Sequence, residues 1–240
     1  MKMRFMSKIR RRVQYLHALK QTKYLMPKSY NEIPEYKAAF KQAIYFTRSC
    51  SFDIDAVNWI DKTFITADST DIEDSLRDSK LASFDGAARQ CLKWSHFYAP
   101  RVAKKLGCGA WVTIGQIWNR EEIVYGPSWN DLKRWIAKGI QRDDFENRRG
   151  FNLHAWITLQ TCEIIDLTFF TTLSEMDPQF KSCAGQFTHG RDPHAINGHR
   201  YYPMAIGSDF AQTISDKSIS SLLTNNVEEL NNCSAVFLFD

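Results

Sequence analysis

Phe151-Asn-Leu-His-Ala-Trp-Ile-Thr-Leu-Gln-Thr-Cys-Glu-Ile-Ile-Asp-Leu-Thr-Phe169 reads as two β-strands joined by a tight turn. Leu153, Ala155, Ile157 and Leu159 alternate with Asn152, His154, Trp156 and Thr158, the period-two pattern of a half-buried strand. The second run, Glu163 to Phe169, is rich in β-branched residues. Gln160, Thr161 and Cys162 are left between them as a three-residue loop.

That loop length has a chemical consequence. It places Leu159 opposite Glu163, Trp156 opposite Asp166 and His154 opposite Thr168. His154 and Asp166 then share a face as diagonal neighbours, roughly 7–8 Å apart at the backbone. A carboxylate there can hold one imidazole nitrogen and fix its tautomer. A two-residue loop would send the two groups to opposite faces. An oriented imidazole is half of a nucleophilic site; the other half is a nucleophile.

Cys91 is the candidate. The stretch from Leu81 to Gly109 reads as a loop entering a long helix, from near Gly86 or Ala87 to Leu106, with Gly107 as its stop. Pro100 is expected to kink or offset it. Cys91 falls near the first turn, where unpaired N–H groups and the positive dipole end lower a thiol's pKa. The same N–H groups can receive an oxyanion. Cys108 lies at the opposite, unfavourable end, Cys162 sits on a turn, and His96 points to another side of the helix. Gln90, beside the thiol, is a candidate oxyanion or substrate contact. Trp156, opposite Asp166, either shields the pair from water or serves packing alone.

Around these residues the chain reads as helices first and an antiparallel sheet after, the α+β class. Helices are expected over Glu35 to Arg48, Asp55 to Phe64, from Ser128 to near Gly139, and over Ser208 to Leu223. Ser69 and Thr70 are candidate caps, with Glu73 placed for a capping box. Ala110 to Trp118 reads as a strand. Thr171 to Gly198 is expected to be irregular. Arg200 to Ile206 can add a strand, at an edge or a bulge because of Pro203. Ala235 to Phe239 can add a short one.

An apolar fraction of 44% over 240 residues is that of a globular protein with a substantial core. No run approaches the roughly 18–20 apolar residues of a membrane span. Met1 to Leu25 is too charged for the centre of a secretory signal. The six cysteines show no paired spacing, so they are expected to be reduced thiols in a cytosolic setting. Export without a cleavable signal stays open. Cys183, His189, His194 and His199 come at five- and six-residue intervals with no short ligand pair, so no metal is assigned. Residues 1–50 hold twelve Lys or Arg against two acids, while the remaining 190 carry a net charge of −6. They are read as a basic helical extension, with Phe5, Ile9, Val13, Leu16 and Leu19 as an apolar stripe, ahead of a domain over 51–240. That arm suits an acidic or anionic partner. Nucleic acid is the weaker assignment, because the body is acidic.

In chain order the constellation is a thiol at a helix start, an imidazole on one strand and a carboxylate on the next. It resembles the papain-like and transglutaminase-like superfamily. His154-Ala155-Trp156, with Asp166-Leu167-Thr168 on the following strand, is similar to the His-Ala-Trp and Asp-Pro-Thr runs of bacterial transglutaminase-like proteases. The order also resembles arylamine N-acetyltransferases. The resemblance covers roughly residues 80–170. It implies a thiol-dependent acyl hydrolase or transferase without a cofactor, with Cys91 as nucleophile, His154 as base and Asp166 as orienter. A protein or peptide substrate, cleaved as by a protease or amidase, is favoured, and a bacterial effector is one conceivable setting. Papain-like enzymes carry an oxyanion Gln six residues before the Cys; Asp85 stands there, leaving Gln90 or a backbone N–H for the role. The competing reading is an inactive binding module of the same fold, recruited through its basic arm.

Overall fold

The computed structural model describes residues 24, 26–65, 70–76, 84–145, 152–192 and 196–232. The apolar stripe of residues 5–19, the Ser69 cap, His194 and the expected strand over 235–239 lie outside the described residues. The elements run α1 (Tyr36–Ser49), α2 (Thr70–Leu76), α3 (Cys91–Leu106), β1 (Ala110–Asn119), β2 (Glu122–Tyr125), α4 (Trp129–Lys138), β3 (His154–Leu159), β4 (Ile164–Asp166), α5 (Phe169–Met176), β5 (Thr188–Gly190), β6 (His199–Ile206) and α6 (Ser208–Lys217). The fold is α+β, with every described strand pairing antiparallel.

β1 is the central strand. One edge pairs with β3 through Ala110–Gly115 and then with β2 through Ile117–Asn119; the other edge pairs with β6. β4 and β5 extend the sheet beyond β3. Pro203 stands opposite Gly115 at a register shift on β6, so it removes no regular ladder bond. Gly115 is needed there: a Cβ would meet the Tyr202 carbonyl oxygen at 2.0 Å and the Trp156 ring at 2.9 Å.

The hairpin has the register its loop length implies. Ile157 pairs with Ile165 and Thr158 with Ile164, and the Leu159 amide donates to the Glu163 carbonyl at 2.8 Å. Cys162 takes a left-handed φ of 73°, which closes a three-residue loop. The second strand is shorter than its composition suggests. It stops at Asp166, whose Oδ1 accepts the Thr168 and Phe169 amides and so turns the chain into α5. Residues 171–198 are therefore not irregular throughout, since α5 and β5 lie among them.

β3 is not half-buried; all six residues are buried. Ala155, Ile157 and Leu159 share a core with Leu92, Phe97 and Val102 of α3. Trp156 packs on the opposite face with Tyr36 and Phe40 of α1. The polar groups of that face are satisfied from a distance. Trp156 Nε1 donates to the Tyr36 hydroxyl at 2.8 Å, that hydroxyl bonds Thr158 Oγ1 at 2.6 Å, and Thr158 bonds Thr113 at 2.7 Å. Within residues 1–50, α1 buries Ala39, Phe40, Ala43 and Phe46.

The helix expected over Asp55 to Phe64 does not form. Its backbone donors go to the hairpin instead: the Ile60 amide to the Gln160 carbonyl, and the Phe64 and Ile65 amides to the buried Glu163 carboxylate. α6 stops at Lys217 rather than near Leu223, where the Ser218 hydroxyl donates to the Ile214 carbonyl and accepts the Ile140 amide. Ser128 and Asp131 form the capping box that starts α4.

Glu163→Ala would leave two buried amides without acceptors. The expected loss is roughly 2–4 kcal/mol, read from the midpoint of urea unfolding. A loss below about 0.5 kcal/mol would show that the 52–65 segment is not held by this carboxylate.

Candidate active site

α3 starts later than its sequence suggests. Asp85–Ala87 forms a 3-10 turn, Arg89 adopts a left-handed φ of 59°, and Cys91 becomes the first helical residue. The first i to i−4 bond runs from the Trp94 amide to the Gln90 carbonyl, at 3.1 Å. The N–H groups of Cys91, Leu92 and Lys93 therefore precede the helical ladder at its positive end. Gly107, at φ 63°, closes the other end as expected, and the helix runs through Pro100.

This start brings Cys91 to the first residues of β3. Its thiol donates to the Leu153 carbonyl at 3.6 Å and also shares a hydrogen bond with the His154 side chain. His154 Nε2 lies 2.6 Å from Asp166 Oδ2. Asp166 thus occupies one ring nitrogen and leaves Nδ1 for the thiol. Three residues from a helix start and two neighbouring strands meet in one buried place: Cys91 is 4% exposed, His154 1% and Asp166 0%.

The Asp166 carboxyl group is surrounded by donors. Oδ2 accepts from His154 and from the Tyr201 hydroxyl at 2.9 Å, and Oδ1 accepts the Thr168 and Phe169 amides at 3.1 Å each. Burial alone would push the His154 pKa down. The charge of Asp166, its hydrogen bond and then Cys91 outweigh burial, and the imidazole titrates above its ordinary range. A charged imidazole beside a thiol favours the thiolate.

Aromatic rings wall the imidazole. Tyr125 stacks on it at 4.7 Å, Phe169 meets it edge-on at 5.9 Å, and Trp156 lies nearly parallel at 6.3 Å. Phe169 and Trp156 are fully buried. Tyr125 is only partly buried and ends β2, whose other residues are exposed. Its phenol is pushed up by burial and by the charges of Cys91 and Asp166, and pulled down by Arg89 and by a hydrogen bond with Thr172.

Gln90 lies beside the thiol, but its amide is engaged elsewhere. Nε2 donates to the Gly86 carbonyl, and Oε1 accepts from the Lys93 ammonium. It holds the turn before Cys91. Sequence reasoning did not single out Tyr201, Tyr125 or Arg89. Tyr201 lies in the Tyr201-Tyr202 pair of a strand, and Tyr125 precedes a Gly-Pro turn; neither setting is a signal of chemistry. Cys108 and Cys162 are not among the neighbours of His154. Among the described residues no group of three His, Cys, Asp or Glu side chains could hold a metal, and no helix is long and apolar enough to cross a membrane.

Compared with protein-family models, with curated proteins and with solved structures, the chain finds no match.

The pKa of His154 is raised on folding, so the pair's contribution to stability is full below the ordinary imidazole value of 6.5 and is lost as pH rises through the folded value. Urea unfolding of the wild type and of Asp166→Asn between pH 5 and 10 is expected to show the largest stability gap at the acid end, narrowing above pH 6.5. A gap that widens with pH would contradict a charged pair.

Proposed function

We propose that this chain is a thiol-dependent acyl hydrolase or transferase with a papain-like or transglutaminase-like core, acting on peptide or isopeptide amides. The observation that carries the reading is the meeting of Cys91, at a helix start, with an imidazole whose far nitrogen is held by a buried carboxylate.

The chemistry follows from the positions. The Cys91 thiol gives its proton to His154 Nδ1, and the thiolate attacks the acyl carbon. The carbonyl oxygen becomes an oxyanion facing the N–H groups of Cys91 and Leu92 at the start of α3. His154 then returns its proton to the leaving amine, the C–N bond breaks and a thioester remains. Water or a second amine, deprotonated by His154, attacks that thioester and frees the thiol. Asp166 holds the ring by Nε2 throughout and offsets its positive charge. Tyr201 and the two amides on Oδ1 hold the carboxylate in place.

A second reading, a binding module with a silent site, draws on the closure of the pocket and on the thiol's bond to the Leu153 carbonyl. Iodoacetamide separates the two. Alkylation of Cys91 is followed by peptide mass from pH 5 to 9, in the wild type and in His154→Ala. The acyl-transfer reading expects Cys91 to react fast below pH 7 and about 100-fold slower at pH 6 in the variant, since an ordinary thiol of pKa near 8.5 is almost wholly protonated there. An equal rate in both proteins, following an ordinary thiol titration, would sink it.

A further inference from the structure

The turn before Cys91 carries a cation whose guanidinium makes an ion pair but no hydrogen bond among the described residues. Arg89 is held by its backbone: its amide donates to Thr172 Oγ1 at 2.9 Å. Thr172 gives its own proton to the Thr168 carbonyl at 2.8 Å, so its oxygen serves as acceptor for the Arg89 amide. Thr172 and Glu175 lie one turn apart on α5. Two residues from Cys91, the guanidinium meets Glu175 of α5, and its charge reaches the Tyr125 phenol, whose ring stacks on His154.

Its ionic partner is a poor one. Glu175 Oε2 approaches Arg89 Nε at 3.3 Å, with the Glu175 side chain 48% exposed. The contact is not a forked pair, and Nε is buried without a hydrogen bond of proper geometry. An Arg fork matches a carboxylate through two parallel N–H···O bonds. Here no guanidinium nitrogen makes a hydrogen bond to the described residues. A buried donor without an acceptor costs stability, so its retention beside a nucleophile calls for a ligand. The left-handed φ of Arg89 also favours Gly or Asn over a long cation.

We propose that Arg89 is a substrate-binding residue that takes a carboxylate next to the acyl bond attacked by Cys91, so that the substrates are anionic. This rests on the acyl-transfer reading and names its substrate class. Glu175 occupies the fork weakly when the site is empty, and the substrate carboxylate displaces it. Tyr125, whose phenol feels the Arg89 charge, stacks on the imidazole at 4.7 Å.

Two alkylating agents of nearly equal size test this. Iodoacetate and iodoacetamide both form a bond from Cys91 Sγ to carbon as iodide leaves, and they differ only in bearing a carboxylate or a neutral amide. The ratio of their rates at Cys91 cancels thiolate fraction and access. Arg89→Met is expected to lower the iodoacetate-to-iodoacetamide ratio about tenfold, as loss of one nearby charge in a partly solvated site implies. Arg89→Lys should lower it less, and Glu175→Gln should raise it. A ratio unchanged within twofold in Arg89→Met overturns the proposal. If Cys91 shows no His154-dependent reactivity toward iodoacetamide, the acyl-transfer reading fails instead. Two activated esters locate the carboxylate: p-nitrophenyl hydrogen succinate carries it on the acyl side, S-benzoyl thioglycolate on the leaving side. The ester whose acylation rate falls in Arg89→Met marks the side; no fall with either also overturns the proposal.

Discussion

A carboxylate with no exposed surface is the constraint on which the rest of this fold depends. An ionised Asp166 in the core would cost several kcal/mol without donors. It has four, from β3, from β6 and from the backbone that opens α5. None of those elements can be displaced without orphaning the anion. The same contacts end β4, begin α5 and fix the imidazole. Architecture and candidate chemistry are here one set of hydrogen bonds.

The parts of this arrangement that were legible are local. The three-residue loop fixes the register of β3 on β4, because a left-handed residue at Cys162 completes a turn of that length. That register alone puts His154 and Asp166 on one face. Cys91 could be placed near a helix start because Gly107 marks the far end, although the unexpected left-handed Arg89 moves the start by several residues. What could not be read depends on groups distant in the chain. The alternation of β3 looked half-polar, yet Trp156 and Thr158 are buried because Tyr36, over a hundred residues earlier, supplies a hydroxyl between them. The segment after α1 has helical spacing, but Glu163 captures its amides in an extended form. Tyr201 reaches Asp166 from the edge strand β6, and nothing in its neighbourhood announces that contact.

The residues beside Cys91 show how far residue type can mislead about role. Gln90 is the natural oxyanion donor by composition, but its amide links the Gly86 carbonyl to the Lys93 ammonium. Arg89 looks like a surface cation, but its backbone is pinned to α5 and its buried Nε makes no hydrogen bond of proper geometry. The first is structural support and the second carries the unmet hydrogen-bonding capacity. Geometry, not identity, separates them.

The turn that presents the thiol is closed from the other end of the chain. Lys93 donates to the Asn232 carbonyl at 2.6 Å, and a Cβ on Gly86 would strike Asn231 at 2.6 Å. Leu230 is fully buried in the core. A ribosome makes residues 230–232 long after the turn they cover. Until they emerge, Lys93 lacks the Asn232 carbonyl as an acceptor and the turn before Cys91 lacks its outer clamp. A nascent chain therefore holds this thiol in an unfinished setting, and the order of synthesis itself delays the moment at which the surroundings of Cys91 are complete.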